Sequence, residues 1–399
     1  MPQNPVDKIM LWVIGTLIFI LPLLVSRNTT EVFGLVKIAF TEYTALILIA
    51  LWLVKINIAK RIELIKSPLN LPVALFLIIN IFSLIKALNT HEALIDLGQL
   101  SCYAALFFVV LNNIDKKEKL YAIIDIAIVT AVLVSAYDFW VNKGIDFGSS
   151  RDLHISTIGH PIFAAEYVMM ILPFAFLGLL NPKNNLFKKI LYLAAFICMG
   201  LFIVVAKTRG TWLGIIVSFI GMGYFLIKDF RKKIFFTIAG IVSACLIIFA
   251  SFTAIGKSVS AENNSIFKRF RSTFNVEEYS NKTRLLIWKN TLKIIKDYPV
   301  MGVGIGNFRV IYPRYRSEEE YVFTGDNMRH TKAHNEYLHM SAEIGIVGIA
   351  CFFWILFVLF KSLRKLLKVD DNKERFFAVA IGGSFLAWMT HAVFSYNFH

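Results

Sequence analysis

The residues best equipped for chemistry lie in two places: the turn Lys207-Thr208-Arg209-Gly210, and a stretch from about residue 255 to 348. In that stretch Thr283-Arg284 opens a segment of helical periodicity. Asn281 or Thr283 is placed to cap this helix, which puts Arg284 in its first turn. A helix N-terminus already favours an anion, and an arginine fork there makes a corner for phosphate oxygens. Further on, Asp326, His330 and His334 fall at i, i+4 and i+8, so a shared helix face and a metal site have to be weighed. Against them stand the lack of a fourth firm ligand and Gly325, which makes a continuous helix doubtful. Taken by itself, His334 reads as a buried histidine bonded to a backbone carbonyl at a helix start. His339 reads as packing within the following span, and Glu318-Glu319-Glu320 as a solvated face.

The elements that must hold these residues follow from periodicity. Leu285, Trp288, Leu292 and Ile295 recur on one face of a helix over 281–296, with Lys282, Lys289, Lys293 and Lys296 mostly elsewhere. Such a helix can lie along a membrane surface. It stops at Tyr298-Pro299, because the residue before proline resists helical geometry. Gly302-x-Gly304-x-Gly306 follows with no strand before it and its third glycine too early for a dinucleotide fingerprint. The run reads as a tight bend. Residues 256–279, with Lys268, Arg269 and Arg271 around Phe267 and Phe270, read as a basic interfacial arm.

The chain around this stretch is membrane protein. It has 399 residues, 57% of them hydrophobic and 17% charged, and a mean hydropathy of +0.63; soluble domains carry roughly 25% charged residues. Apolar runs long enough to span a bilayer fall at 9–25, 32–54, 71–87, 97–110, 120–140, 161–180, 190–206, 212–225, 234–254, 337–360 and 376–394. Every second connector is basic, with Lys55 and Lys60 after the second run, Lys116 and Lys117 after the fourth, and Arg231 and Lys232 after the eighth. By the positive-inside bias those connectors face the cytoplasm. The net charge of +15 is therefore topological, and nucleic acid is not an expected partner. Lys207 and Arg209 break this bias in a tight outward turn. Charges on the wrong side at membrane depth usually have a functional partner; the alternative is a headgroup contact. The four cysteines lie inside apolar runs with no metal or redox spacing. Three regions result: transmembrane helices over 1–254, a large outward loop over 255–335, and C-terminal transmembrane helices over 336–399.

His334-Asn335, nine residues, then Gly345-Ile346-Val347-Gly348 resembles the His-Asn-x9-Gly-x-x-Gly signature of the O-antigen ligase and polymerase superfamily. Arg284-x3-Trp288, the run from Asp297-Tyr298-Pro299 to Gly306-Asn307-Phe308, and Lys207-Thr208-Arg209-Gly210-Thr211-Trp212 are also similar to that family. The specific motifs lie between Lys207 and Gly348, and the spacing of Arg209, Arg284 and His334 looks most like the ligase branch. Family members usually show twelve spans, one more than the eleven counted here.

The resemblance implies an all-α polytopic fold of the membrane glycosyltransferase (GT-C) type. It implies transfer, with inversion, of a glycan from undecaprenyl pyrophosphate to a sugar hydroxyl of lipid A–core oligosaccharide, in the bacterial inner membrane with the active site facing the periplasm. On that reading Arg209 and Arg284, with Lys207, bind the pyrophosphate, because a guanidinium matches phosphate oxygens and stays charged. His334 is the base on the acceptor hydroxyl, and Asn335 orients it or binds a sugar. His160 and Arg151 lie outward and could touch the glycan or acceptor. No Asp-x-Asp pair occurs in the outward segments, so no metal or other cofactor is expected. The competing activities are a polysaccharide polymerase or a protein O-oligosaccharyltransferase of the same superfamily. A transporter should show inverted repeats and helices broken near mid-membrane, and neither is legible.

Overall fold

The computed structural model describes residues 5–26, 28, 32–60, 64–142, 154–226, 279–368 and 372–395. Its membrane portion is a bundle of helices: α1 (Pro5–Ile20), α2 (Gly34–Ala59), α3 (Asn70–Ser83), α4 (Thr90–Asn113), α5 (Lys117–Val141), α6 (Pro161–Leu180), α7 (Leu186–Val205) and α8 (Arg209–Leu226). An outer layer holds α9 (Tyr279–Asp297) and the short α10 (Glu318–Thr324), and the chain returns through α11 (Glu336–Leu366) and α12 (Asn372–Ala392). Among the described residues there is no strand. The protein is an all-helical polytopic membrane protein.

Among the described residues, eight helices are long and apolar enough to cross a bilayer, against eleven spans counted from hydropathy. Helix α3 is only 14 residues before a 3-10 turn, and α12 opens on the polar run Asn372-Lys373-Glu374-Arg375. The expected span at 234–254, the basic arm and Arg151 lie outside the described residues.

The alternation of connectors survives as a bundle with two chemically distinct ends. At one, Lys55 pairs with Asp7 at 2.7 Å and reaches Asn113 at 2.9 Å. Lys117 pairs with Glu374, and Arg375 donates to the Phe225 and Leu226 carbonyls. These are the connectors read as cytoplasmic. At the other, the Thr157 hydroxyl donates to Pro22 O and Lys37 to Thr157 O, both at 2.7 Å, and the Tyr337 phenol donates to Met389 O at 2.9 Å. Capping decides where helices start at this end. The Asn89 side chain accepts from the His91 and Glu92 amides, and His160 accepts from Ile162 N with Pro161 at the first helical position.

One buried core lies where α5, α6 and α7 meet Ala387 of α12, and another where α1, α2, α4 and α5 meet. The outer layer has its own core of Ile287, Ile294, Val303, Phe308, Ile311, Tyr312, Ala333 and Ala342.

Helix α11 is broken at Gly345, whose φ is 63° and ψ −169°, so the absence of broken helices expected from the sequence does not hold. The glycine bend repairs the break. Ile346 N donates to Pro299 O at 2.8 Å, Val303 N to Ala342 O at 3.0 Å and Gly304 N to Glu343 O at 2.9 Å. Backbone groups freed in a membrane helix need such partners. Gly302, at φ 67°, passes so close to α11 that a Cβ would lie 2.3 Å from the Glu343 carbonyl. The bend is a docking element.

Candidate active site

Three segments converge at one end of the bundle. Arg209 opens α8, and its Nη1 donates to the Asn281 side-chain oxygen on α9 at 3.0 Å. Arg284 follows three residues later on α9, and its charge acts on His334. His334 stands two residues before α11, in an irregular stretch that begins after α10 ends at Thr324. Burial, first, and then the positive charges of Arg284, His330 and His160 push its imidazole down to about 4, from an ordinary value near 6.5. The ring is therefore neutral at neutral pH. His330 is itself lowered by burial. His160, whose Nδ1 caps α6, belongs to the same neighbourhood.

The family model described as O-Antigen ligase matches residues 194–353, the stretch that contains Arg209, Arg284, the glycine bend and His334. This part of the chain is similar to the O-antigen ligase family. Two proteins each named as a candidate polysaccharide ligase are similar to it. That of Rickettsia conorii is 25% identical over 190 residues, 46% of this chain and 42% of the relative. That of Rickettsia typhi is 25% identical over 310 residues, 74% of this chain and 68% of the relative. The match to the first thus spans less than half of that relative's length.

Several positions in this stretch differ from the sequence expectation. Helix α9 already includes Tyr279, so Asn281 and Thr283 lie within it and cap nothing, and Arg284 is not in the first turn. Asn281 instead holds Arg209. The buried face of α9 is Leu286, Ile287, Asn290, Thr291 and Ile294, while Leu285 and Leu292 are exposed. Two polar residues sit inward because they find partners: Asn290 donates to Glu320 at 2.8 Å, and Thr291 donates to Ile287 O at 2.7 Å. Leu285 and Leu292 remain outside with Lys289, Lys293 and Lys296.

Asn335 caps α11, its side-chain oxygen accepting from Leu338 N at 3.0 Å. Lys207 is 2% exposed, at φ 49°, in the turn joining α7 to α8. Asp326, His330 and His334 share no helix face, because 325–335 is irregular, so the spacing argument for a metal fails. His339 packs inside, tilted against Phe308 with ring centroids 4.7 Å apart.

Two features are hard to read from the sequence. Glu320, read as part of a solvated face, is 0% exposed and accepts from Asn290, from the Tyr312 phenol at 2.6 Å and from Arg316 Nε at 3.1 Å. An i,i+4 arginine was its only trace. The hydroxyls of Thr208, Thr211 and Thr283 are buried without a hydrogen-bond partner among the described residues. Thr291, Thr324 and Thr390 instead satisfy theirs on the carbonyl four residues back. Unsatisfied buried hydroxyls cost about 1–3 kcal/mol each, and Thr208 and Thr283 adjoin Arg209 and Arg284 in sequence.

Proposed function

We propose that the chain transfers a glycan from undecaprenyl pyrophosphate to a hydroxyl of lipid A–core oligosaccharide, at the periplasmic face of the bacterial inner membrane. The observation that carries this reading is the Arg209–Asn281 bond. It ties the turn bearing Lys207 and Arg209 to the helix bearing Arg284, beside a neutral histidine.

Arg209 and Arg284 bind the pyrophosphate oxygens, with Lys207 behind them and the Thr208 and Thr283 hydroxyls as neutral donors. The acceptor hydroxyl attacks the anomeric carbon from the face opposite the phosphate. As the new carbon–oxygen bond forms, the anomeric carbon–phosphate oxygen bond breaks and the electron pair leaves on the lipid pyrophosphate. The acceptor proton passes to His334. Fixed positive charge at the leaving group is the largest contribution expected. Burial and Arg284 hold His334 well below its ordinary range. A bound pyrophosphate offsets that positive charge, and so raises the proton affinity of the imidazole when the donor arrives. The exposed Leu285 and Leu292 among lysines on α9 suit a headgroup layer, where a lipid-linked donor sits.

The test supplies the purified protein in detergent with preassembled lipid-linked polymer and core acceptor, with no divalent metal added. Capped core is the expected product. Lengthened lipid-linked chains in its place would make the protein a polymerase. No product of either kind would defeat the glycosyl-transfer reading.

A further inference from the structure

His334 has a left-handed backbone, with φ 53°. Outside glycine this conformation costs roughly 1–2 kcal/mol, and it persists only where the surroundings determine it. The residues on either side supply that determination. Ala333, 0% exposed, is held at both polar groups: the Trp288 indole N–H donates to its carbonyl at 3.0 Å, and its own N–H reaches His339 Nδ1 at 3.4 Å. On the other side, Asn335 is fixed by its cap on Leu338 N at 3.0 Å and by His339 N donating to its carbonyl at 2.9 Å.

The two holders of Ala333 have different origins. Trp288 lies four residues after Arg284 on α9, about 6 Å along the axis and on the same side. His339 lies in the first turns of α11. Because His339 Nδ1 accepts, its proton sits on Nε2, 3.6 Å from Glu343 Oε1. That carboxylate in turn accepts from Phe308 N at 2.9 Å, and the Phe308 ring packs against the imidazole with centroids 4.7 Å apart.

We propose that Trp288 and His339 are positioning residues which clamp Ala333 and so hold the left-handed backbone that aims His334 at the space beside Arg284. This rests on the reading of His334 as the base. The helix that carries the pyrophosphate cation thereby also sets where the base stands, and the two cannot drift apart without losing the Trp288 bond. Displacing a reacting group by about 1 Å can cost on the order of 100-fold in rate.

The experiment uses the full chain in detergent with lipid-linked glycan as donor. Trp288→Phe keeps a ring and removes only the N–H. His339→Leu removes the acceptor, and His339→Gln offers a carbonyl in its place. The expected result is a kcat lower by about 10- to 100-fold in Trp288→Phe and His339→Leu, with donor KM within about twofold of the parent because Arg209 and Arg284 are untouched. His339→Gln recovers part of kcat. Parental kcat in Trp288→Phe or His339→Leu overturns the proposal, as does a KM that rises in step with falling kcat. So does a His339→Gln variant no better than His339→Leu at equal thermal stability. His334→Ala in the same assay separates the two ideas. If it turns over at the parental rate, the base reading fails; if it is inactive while Trp288→Phe is unimpaired, only the clamp fails.

Discussion

Pro299 and Ile346, forty-seven positions apart, are joined by a 2.8 Å backbone hydrogen bond across the break in α11. Through this bond and its neighbours the outer layer becomes part of a membrane helix. The break needs Gly345, because a Cβ there would lie 2.2 Å from Val300 O at a φ of 63°. Gly345→Ala is expected to lower stability by at least about 1–3 kcal/mol from backbone strain alone. Gly382→Ala is the control: nothing lies within 4 Å of its added Cβ, so no loss is expected. Thermal unfolding of both variants in detergent makes the comparison, and equal midpoints would mean that the bend does not hold the break.

Asn281 is expected to matter through Arg209. A hydrogen bond to a charged group is worth about 1.5–3 kcal/mol, so Asn281→Ala should raise donor KM by roughly tenfold or more by releasing the guanidinium. Asn281→Asp keeps an acceptor but adds a negative charge facing the pyrophosphate, and should bind donor more weakly than the parent. Donor titrations in vesicles measure both. A parental KM in Asn281→Ala would detach this bond from the donor site.

Much of this arrangement is legible in the sequence, where the signal is local. Apolar length and the position of Lys55, Lys117 and Lys119 are enough to sort the connectors into two ends, and the bundle keeps them so. Arg209, Arg284 and His334 are identifiable by motif. What is not legible depends on partners distant in the chain. A periodicity count scores Asn290 and Thr291 as polar and turns α9 the wrong way, since it has no knowledge of Glu320. Gly345 reads as a small packing residue until residues 299–304 are docked against it. Asn281 looks like a cap because nothing near it in sequence announces Arg209.

The acidity of His334 tests how close Arg284 stands. Burial and the Arg284 charge both lower it, to about 4. Arg284→Gln removes the second cause and leaves the first, so the imidazole should titrate higher than in the parent yet below its ordinary value. Adding inorganic pyrophosphate to the parent should move it up as well. The folded value lies under the unfolded one, so the unfolded chain binds the proton first. His334 therefore contributes to stability above about pH 6.5 and loses that contribution as pH falls toward 4. Carbon-13 labelled histidine followed by NMR reads the titration. An unchanged value in Arg284→Gln would separate the two residues.

Glu320 makes the sharpest demand on the outer layer. It has no exposure, and the Arg316 side chain beside it is 5% exposed. Arg316 also donates to Thr324 Oγ1 and Gly325 O, each at 2.6 Å, and stacks over Tyr321 at 3.9 Å, so it cannot swing out to water without dismantling α10. Removing one partner of a buried ion pair leaves an uncompensated charge and costs about 3–5 kcal/mol, whereas replacing both is often neutral. Glu320→Gln should therefore unfold the outer layer more readily than the double variant Arg316→Met/Glu320→Gln, although the double variant loses more hydrogen bonds. Proteolysis of the outer layer in detergent, followed with denaturant, ranks the three proteins. If the double variant is the least stable, the pair contributes through its hydrogen bonds, and charge compensation is not what keeps Glu320 inside.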